Sequence, residues 1–208
     1  HPRALETLVQ FMEAHPRVGA CGPQLLNPDG TLQPSCHPML TPWREFWRLL
    51  FLDHLKRSAT YAMSRWDRRR PRPVEVIKGA CLMLRREALD QVGLLDPRYF
   101  MYSEEMDLCY RLLRAGWSLF WVPEARVVHH GEASSRQMAE DMYVQLYRSK
   151  VQFYRKTGGS RRAQVFKRLV ALAYLPRWAV ARAGSLVSPG WSARARTYRR
   201  LLAELPAM

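Results

Sequence analysis

The stretch that decides the fold of this chain is FMYSEEMDLCYR, residues 100–111. Ser103 is a good N-cap, and apolar side chains recur after it at helical spacing, so the stretch predicts a helix over residues 104–115. Aromatic residues precede this helix in a loop. Its first turn contains three carboxylates, which belong to Glu104, Glu105 and Asp107.

These three acids allow two interpretations. Acids in a first turn complement the positive end of the helix dipole, which is worth about 0.3 to 1 kcal/mol each. Three like charges in one turn also repel, and such a cost is typical of a carboxylate that acts as a base or binds a cation. The i, i+4 spacing predicts an ion pair between Asp107 and Arg111, which gives both residues a role in structural support. Glu104 and Glu105 are then left to face a cleft.

Working outward from this helix, periodicity and turn residues predict alternating helices and strands. Thr41 and Pro42 predict the start of a helix that extends to about Leu55, and His15-Pro16 closes the first helix of the chain. Helices are also predicted over 4–14, 86–92 and 138–156; strands over 18–21, 74–77, 80–84, 117–122 and 125–129; and a hairpin turn over 27–30.

The charge of the chain is concentrated near its end. Lys and Arg (33) outnumber Asp and Glu (18), a net charge of +15, and residues 155–208 contribute +11 of it. A second basic segment, residues 56–72, lacks periodicity and is predicted to be a mobile, solvated loop. The four cysteines are widely spaced, which predicts free thiols in a reducing compartment and argues against a structural zinc site.

The basic segment 158–208 also contains a broad apolar face around Phe166 and Val170. This composition is typical of amphipathic helices lying on an anionic membrane. The alternative is a helical subdomain that packs on the rest of the chain with a solvated basic rim. No run of 18 uncharged apolar residues predicts a spanning helix, and no recognition helix or RNA-binding signature supports a nucleic-acid partner.

Several further blocks occur in a fixed order around the acidic helix. Together they resemble the second half of a family 2 glycosyltransferase, in its rhamnosyltransferase-like branch, over roughly residues 4–157. The blocks are VGA (18–20), GP (22–23), LNPDG (26–30), KGACLMLRR (78–86), VGLLD (92–96), FMYSEEMDLCYR (100–111), AGW (115–117), VP (122–123) and VHHG (128–131) with Ser134.

The resemblance implies an α/β fold of the GT-A type. Residues 1–157 would form the acceptor-side half of its mixed sheet, flanked by helices, and residues 158–208 basic amphipathic C-terminal helices. It also implies an inverting transferase in which a carboxylate deprotonates the acceptor hydroxyl. That base corresponds to Glu105, where the family more often has Asp, with Glu104 beside it.

Other site residues follow from the same resemblance. Gly79, Ala80 and Cys81 are assigned to acceptor binding, although small residues there also suit close strand–helix packing. The His-x-Gly-x-x-Ser pattern places His129, rather than His130, near the donor diphosphate or its metal, and His129 is the candidate metal ligand. Arg136 is a further candidate for neutralising the leaving group, or else a solvated loop arginine.

The expected partners are a nucleotide-diphospho-sugar donor, with rhamnose as the expected sugar, and a glycan or polyprenol-linked acceptor. The expected cofactor is divalent Mg²⁺ or Mn²⁺, and the expected role is cell-wall or polysaccharide synthesis. The location implied is cytoplasmic, peripheral on the inner face of the plasma membrane. No Asp-x-Asp metal motif occurs, so the donor half is expected to be missing and this fragment alone inactive. The alternative is a noncatalytic acceptor-binding or membrane-docking fragment.

Overall fold

A computed structural model describes residues 1–52, 59–131 and 139–208. Six helices, seven strands and one 3₁₀ turn lie in these ranges. The helices are α1 (Ala4–Ala14), α2 (Pro42–Leu49), α3 (Arg86–Val92), α4 (Glu104–Arg114), α5 (Ala139–Gly184) and α6 (Pro189–Glu204). The strands are β1 (Val18–Leu26), β2 (Leu32–Gln33), β3 (Cys36–His37), β4 (Arg72–Pro73), β5 (Val76–Ile77), β6 (Met83–Leu84) and β7 (Ser118–Val128), and the 3₁₀ turn is Met63–Arg65.

The chain divides into two compact units. The strand-rich unit consists of His1–Met39, Thr60–Arg98 and Glu104–Ala133; the helical unit consists of Leu40–Ala59, Tyr99–Ser103 and Ser134–Met208. These units divide the chain differently from the predicted boundary at residue 157, because residues before 157 pack with the C-terminal helices.

The sheet of the strand-rich unit is mixed. Its long strands β1 and β7 are parallel, whereas β2 and β6 pair antiparallel with β1, and β4 pairs antiparallel with β7. A second small sheet joins β3 to β5. The α/β fold class, with a mixed sheet, flanking helices and C-terminal helices, is confirmed.

The core of this unit explains why β1 is apolar along its whole length. Every residue of β1 is buried, which is typical of a strand covered on both faces. Leu8 and Met12 of α1 pack against Val18, Cys21 and Val122. The predicted first helix and the hairpin that follows β1 are both present with the expected bounds.

The last strand differs from its prediction. Two strands were expected over 117–122 and 125–129, but β7 is continuous. Its pairing with β1 passes from Pro23↔Val122 directly to Gln24↔Arg126. Residues 123–125 therefore form a bulge, which accommodates Pro123 because a bulge needs no ladder hydrogen bond there.

The basic segment 56–72 is more ordered than predicted in the part that the structure describes, which begins at residue 59. Met63 is buried, the Trp66 ring lies 5.2 Å from that of Trp121, and β4 pairs with β7. The apolar and aromatic side chains among the arginines anchor this segment, and periodicity does not detect isolated anchors. Residues 56–58 lie outside the described residues.

In the helical unit, α2 begins as predicted, with Thr41 Oγ1 accepting a hydrogen bond from the backbone N–H of Arg44. It ends at Leu49 instead of near Leu55, and Phe51 shortly after it has a φ of 57°. A left-handed residue is a common helix stop.

Helix α5 is broken at Gly159, where φ is 70° and ψ is −179°, but it runs through Pro176, which was expected to interrupt it. Its first part packs on its second through tyrosine hydroxyls, with 2.6 Å between those of Tyr147 and Tyr174. A buried ion pair joins Lys150 Nζ to Glu45 Oε2 at 2.8 Å. These contacts explain why residues before 157 belong to the helical unit.

Two further expectations concern the chain as a whole. All four cysteines are free thiols, as predicted; Cys21, Cys36 and Cys109 are buried and Cys81 is half-buried. Among the described residues, each helix is too short or too polar to cross a bilayer.

Candidate active site

The carboxylate cluster lies where the sequence placed it, in the first turn of α4. The two residues before the helix both have left-handed backbones, with φ of 68° at Tyr102 and 69° at Ser103. Ser103 therefore lacks the extended conformation that a capping serine usually adopts. Consecutive left-handed residues other than glycine store strain, and such strain is frequent at functional sites.

Asp107 has the structural role that its spacing predicted. It is fully buried and accepts a hydrogen bond from Arg111 Nε at 2.9 Å. Arg111 also donates to the carbonyls of Val92 (2.5 Å), Gly93 (3.0 Å) and Leu94 (2.7 Å). The guanidinium thus fastens the end of α3 to α4 and fixes the helix that bears the other two carboxylates.

Glu105 is in a different state. Its Oε2 atom is buried, and no side chain or backbone group among the described residues hydrogen-bonds to it; the same is true of Oε2 of Glu104. Burial raises the pKa of the Glu105 carboxyl, and the neighbouring Glu104 charge raises it further. Backbone N–H groups and Lys78 oppose the pKa shift only in part. A carboxylate with a raised pKa is a stronger base than an ordinary one.

The loop between β5 and β6 lies beside this carboxylate. A Cβ placed on Gly79 would be 3.7 Å from Cβ of Glu105, in ordinary van der Waals contact. Gly79 and Ala80 are exposed, and Cys81, which follows them, is half-buried. The structure therefore brings Gly79 and Glu105 together, and it leaves the backbone at Gly79 open to solvent.

Close packing on β1 holds this loop in place. A Cβ on Gly22 would come within 2.5 Å of Ile77 Cγ2 and 3.2 Å of the Cys81 carbonyl oxygen. Only glycine leaves room there for β5 and the loop after it. Gly22 belongs to one of the ordered sequence blocks, but its packing against Ile77 could not be predicted from that block.

His129 is half-buried at the end of β7 and bonded to the hairpin. Gln33 Oε1 lies 2.7 Å from its Nδ1, and Gln33 Nε2 donates to the His129 carbonyl (3.2 Å) and to Asn27 Oδ1 (2.9 Å). These two acceptors orient the Gln33 amide, so its oxygen faces the ring. An amide oxygen can only accept, hence Nδ1 of His129 bears a proton, and in the neutral ring Nε2 then has the lone pair.

Gln33 was missed as a site residue, because sequence reasoning used it only as a hairpin strand residue. His130 is exposed and Arg136 lies outside the described residues. His129 makes its hydrogen bonds to the hairpin rather than to the carboxylate cluster.

A metal ion would need several donor side chains close together at this site. Within residues 1–52, 59–131 and 139–208, no three His, Cys, Asp or Glu side chains are grouped so as to hold an ion. His129 Nε2 offers one ligand, and the described residues do not by themselves form a metal site. The chemistry proposed for these residues therefore includes no step on a metal.

Comparison with known proteins gives consistent matches. The profile of Glycosyl transferase family group 2 matches residues 1–202. A Mycobacterium tuberculosis N-acetylglucosaminyl-diphospho-decaprenol L-rhamnosyltransferase is 39% identical over 131 residues, which cover 62% of this chain and 43% of the relative. The O-antigen biosynthesis protein RfbC of Myxococcus xanthus is 30% identical over 145 residues, 65% of this chain and 10% of the relative.

The rhamnosyltransferase WbbL of Escherichia coli K12 is 35% identical over 63 residues, 30% of this chain and 24% of the relative. The chain matches less than half the length of each of these relatives. The family match extends over nearly all of the chain, and it agrees with the mixed sheet and its flanking helices. This chain belongs to glycosyl transferase family group 2.

Proposed function

We propose that this chain forms the acceptor side of an inverting glycosyltransferase in which Glu105 is the general base. The observation that supports the proposal is the buried Oε2 atom of Glu105, which has no hydrogen-bond partner among the described residues and belongs to a carboxyl with a raised pKa beside exposed Gly79. The carboxylate takes the proton of an acceptor hydroxyl. The hydroxyl oxygen then bonds to the anomeric carbon as the bond to the nucleotide diphosphate breaks on the opposite face.

The proposed substrates follow from the relatives. The donor is a nucleotide-diphospho-sugar, with rhamnose as the sugar, and the acceptor is a polyprenol-linked glycan; the Mycobacterium tuberculosis relative is named for transfer to such a lipid. The loop of Gly79, Ala80 and Cys81 is proposed to admit the acceptor. The enzyme would work in the cytoplasm at the inner face of the plasma membrane.

His129 is proposed to lie near the donor diphosphate. Its Nε2 lone pair, fixed by Gln33, suits either a hydrogen bond from a protonated group or one position on Mg²⁺ or Mn²⁺. The remaining ligands of such a metal would come from outside the described residues. Such a metal neutralises the charge of a leaving diphosphate when bound.

The test compares three variants. Glu105→Gln should lower the transfer rate by about 10²- to 10⁴-fold, because the amide cannot accept the proton. Glu105→Asp keeps a carboxylate and should retain much more activity than Glu105→Gln. Glu124→Gln is the control, because it removes the same charge at an exposed position of β7. Transfer of labelled rhamnose to membrane lipid is measured with two polypeptides: the 208-residue chain, and the longest polypeptide that its gene encodes.

Equal rates in wild type and Glu105→Gln contradict the assignment of the base. Absence of transfer by both polypeptides, with acceptor binding intact, would support instead the noncatalytic alternative, an acceptor-binding fragment.

A further inference from the structure

A cleft lined by arginines lies between the end of α5 and residues 192–199 of α6. Its volume is about 200 Å³. The side chains that define it are those of Arg182, Arg196 and Arg199, with Ser185, Ser192 and Trp178. We call it the arginine cleft. None of its residues belongs to the site around Glu105.

The three arginines lack the partners that other arginines of this unit have. Arg200 pairs with Asp141 at 2.6 Å and with Glu204 at 2.8 Å, and Arg148 also reaches Glu204 at 2.8 Å. Within the part of the chain that the structure describes, the cleft arginines form no ion pair or side-chain hydrogen bond. No acidic residue occurs between positions 142 and 203. Three guanidinium groups left together repel, and an anion would offset that cost.

The shape of the cleft is set by the turn between the two helices. The ring of Trp191 packs on Gly184, where a Cβ would lie 2.9 Å from the ring atoms. This close approach fixes the entry of α6 against the end of α5. Ser192 lies in the same cleft, where its hydroxyl suits an anion already held by guanidinium groups, whereas the Ser185 hydroxyl donates to the Arg182 carbonyl at 2.6 Å.

An apolar surface adjoins the arginines. A second, open cleft of about 500 Å³ shares Trp178, Arg182 and Ser185 with the first and adds Ala179, Ala183 and Leu186. Apolar side chains in the same part of the chain are unusually exposed. Their exposed fractions are 62% for Leu172, 52% for Leu175, 60% for Val180, 89% for Leu186 and 87% for Val187.

This surface is distinct from the apolar face that the helix buries. Phe166, Val170 and Ala173 of α5 are buried, and by helical periodicity Leu172 and Leu175 lie on the opposite side. A helix that is apolar on both sides, with arginines at the border of the exposed one, is typical of segments that lie in a membrane interface.

We propose that the arginine cleft binds the phosphate of an anionic phospholipid while the neighbouring apolar side chains enter the acyl region. A guanidinium cluster recognises phosphate through paired N–H donors, and charge complementarity directs a basic, acid-free surface to anionic lipid. Nucleic acid would satisfy the arginines but would leave Leu186 and Val187 in water. The inference does not depend on the chemistry of Glu105, and it concerns where the chain docks.

Vesicle flotation with the 208-residue chain tests the proposal. The chain should float with phosphatidylcholine vesicles that contain about 30% phosphatidylglycerol, and should not float with phosphatidylcholine alone. Arg196→Gln/Arg199→Gln should weaken binding about 30-fold, since each basic residue at the surface contributes about five-fold. The matched control is Arg68→Gln/Arg69→Gln, which removes the same charge from exposed loop positions.

A second variant tests the apolar contribution. Leu186→Ser/Val187→Ser alters side chains that are almost fully exposed, so folding should be unaffected, while vesicle binding falls at least about ten-fold. Circular dichroism checks that each variant keeps its helices. A competition arm with inorganic phosphate separates headgroup recognition from capture of a free anion, because free phosphate should not displace the chain from vesicles.

Several outcomes overturn the proposal. They are equal losses in the cleft variant and the loop control, unchanged binding after the serine substitutions, displacement by inorganic phosphate, and salt-sensitive retention of DNA that is stronger than vesicle binding. Because no sugar transfer is measured, a failed activity assay leaves these results unaffected.

Discussion

At the scale of single residues, Glu105 holds a position that suits chemistry better than stability. Its Oε2 oxygen is buried and accepts no hydrogen bond from the described residues, and backbone N–H groups and Lys78 offset the lost hydration of the carboxyl only in part. Asp107, two residues later, is also buried but has its charge matched by Arg111. The contrast within one helical turn separates the proposed base from its structural neighbour.

The difference in stability between Glu105→Gln and wild type should therefore depend on pH. The folded pKa is raised above the ordinary 4.5, so the carboxyl adds most to stability when protonated, below the unfolded pKa, and this contribution is lost as pH rises through the folded value. Glutamine remains neutral throughout. We expect Glu105→Gln to unfold at a higher temperature than wild type at pH 7 and at a similar temperature below pH of about 4.

Thermal denaturation followed by circular dichroism at both pH values measures this difference. Glu124→Gln, at an exposed site, should show no such dependence. A Glu105→Gln protein that is less stable than wild type at pH 7 would mean that Glu105 has a favourable partner in solution.

A second residue-scale prediction concerns Gln33. Its amide oxygen holds the proton on Nδ1 of His129, so Gln33→Leu should release the ring to favour the Nε2–H tautomer that is commoner in free imidazole. Nitrogen-15 chemical shifts of His129 report the tautomer directly. Gln10→Leu, an exposed glutamine of α1, is the control. Unchanged shifts in Gln33→Leu would remove Gln33 as a positioning residue.

At the scale of elements, the sequence predicted best those helices and strands that begin or end at a capping or turn residue. The caps at Thr41 and Gly93 and the Asn27–Gly30 turn fixed three boundaries, because their backbone preferences act over a few residues. The two strands expected over 117–122 and 125–129 form one strand, since a bulge in β7 accommodates Pro123, and α5 continues through Pro176. Tertiary packing determines the course of β7 and α5 at these positions, and a local sequence pattern does not report tertiary packing.

The element-scale prediction compares Gly22 of β1, which packs against β5 and the loop after it, with Gly79, which lies in that loop. Gly22→Ala places a methyl group 2.5 Å from Ile77 Cγ2 and should cost about 1 to 3 kcal/mol of unfolding free energy. Gly79→Ala makes only ordinary contacts with Glu105 and should leave stability nearly unchanged. Urea denaturation of the two variants measures the difference. Equal losses would mean that the loop is not held by β1.

At the scale of the whole molecule, the family and fold class could be predicted because several blocks occur in a fixed order. The role of Asp107 could be predicted from i, i+4 spacing alone. The contact between Gly79 and Glu105 could not be, since 26 positions separate them in the sequence and only the packing of β5 on α4 joins them. The arginine cleft was equally hidden: the sequence predicted a basic amphipathic segment, but not which arginines lack partners.

The distribution of the four thiols gives the molecule a built-in reporter. Cys21, Cys36 and Cys109 are buried, and burial raises the pKa of each to about 12, which keeps them protonated and slow to alkylate. Cys81 alone is partly accessible, and it directly follows the exposed backbone of Gly79 and Ala80. A maleimide dye should therefore label this loop selectively, without any engineered cysteine, and its fluorescence would follow occupancy of the proposed acceptor cleft in real time.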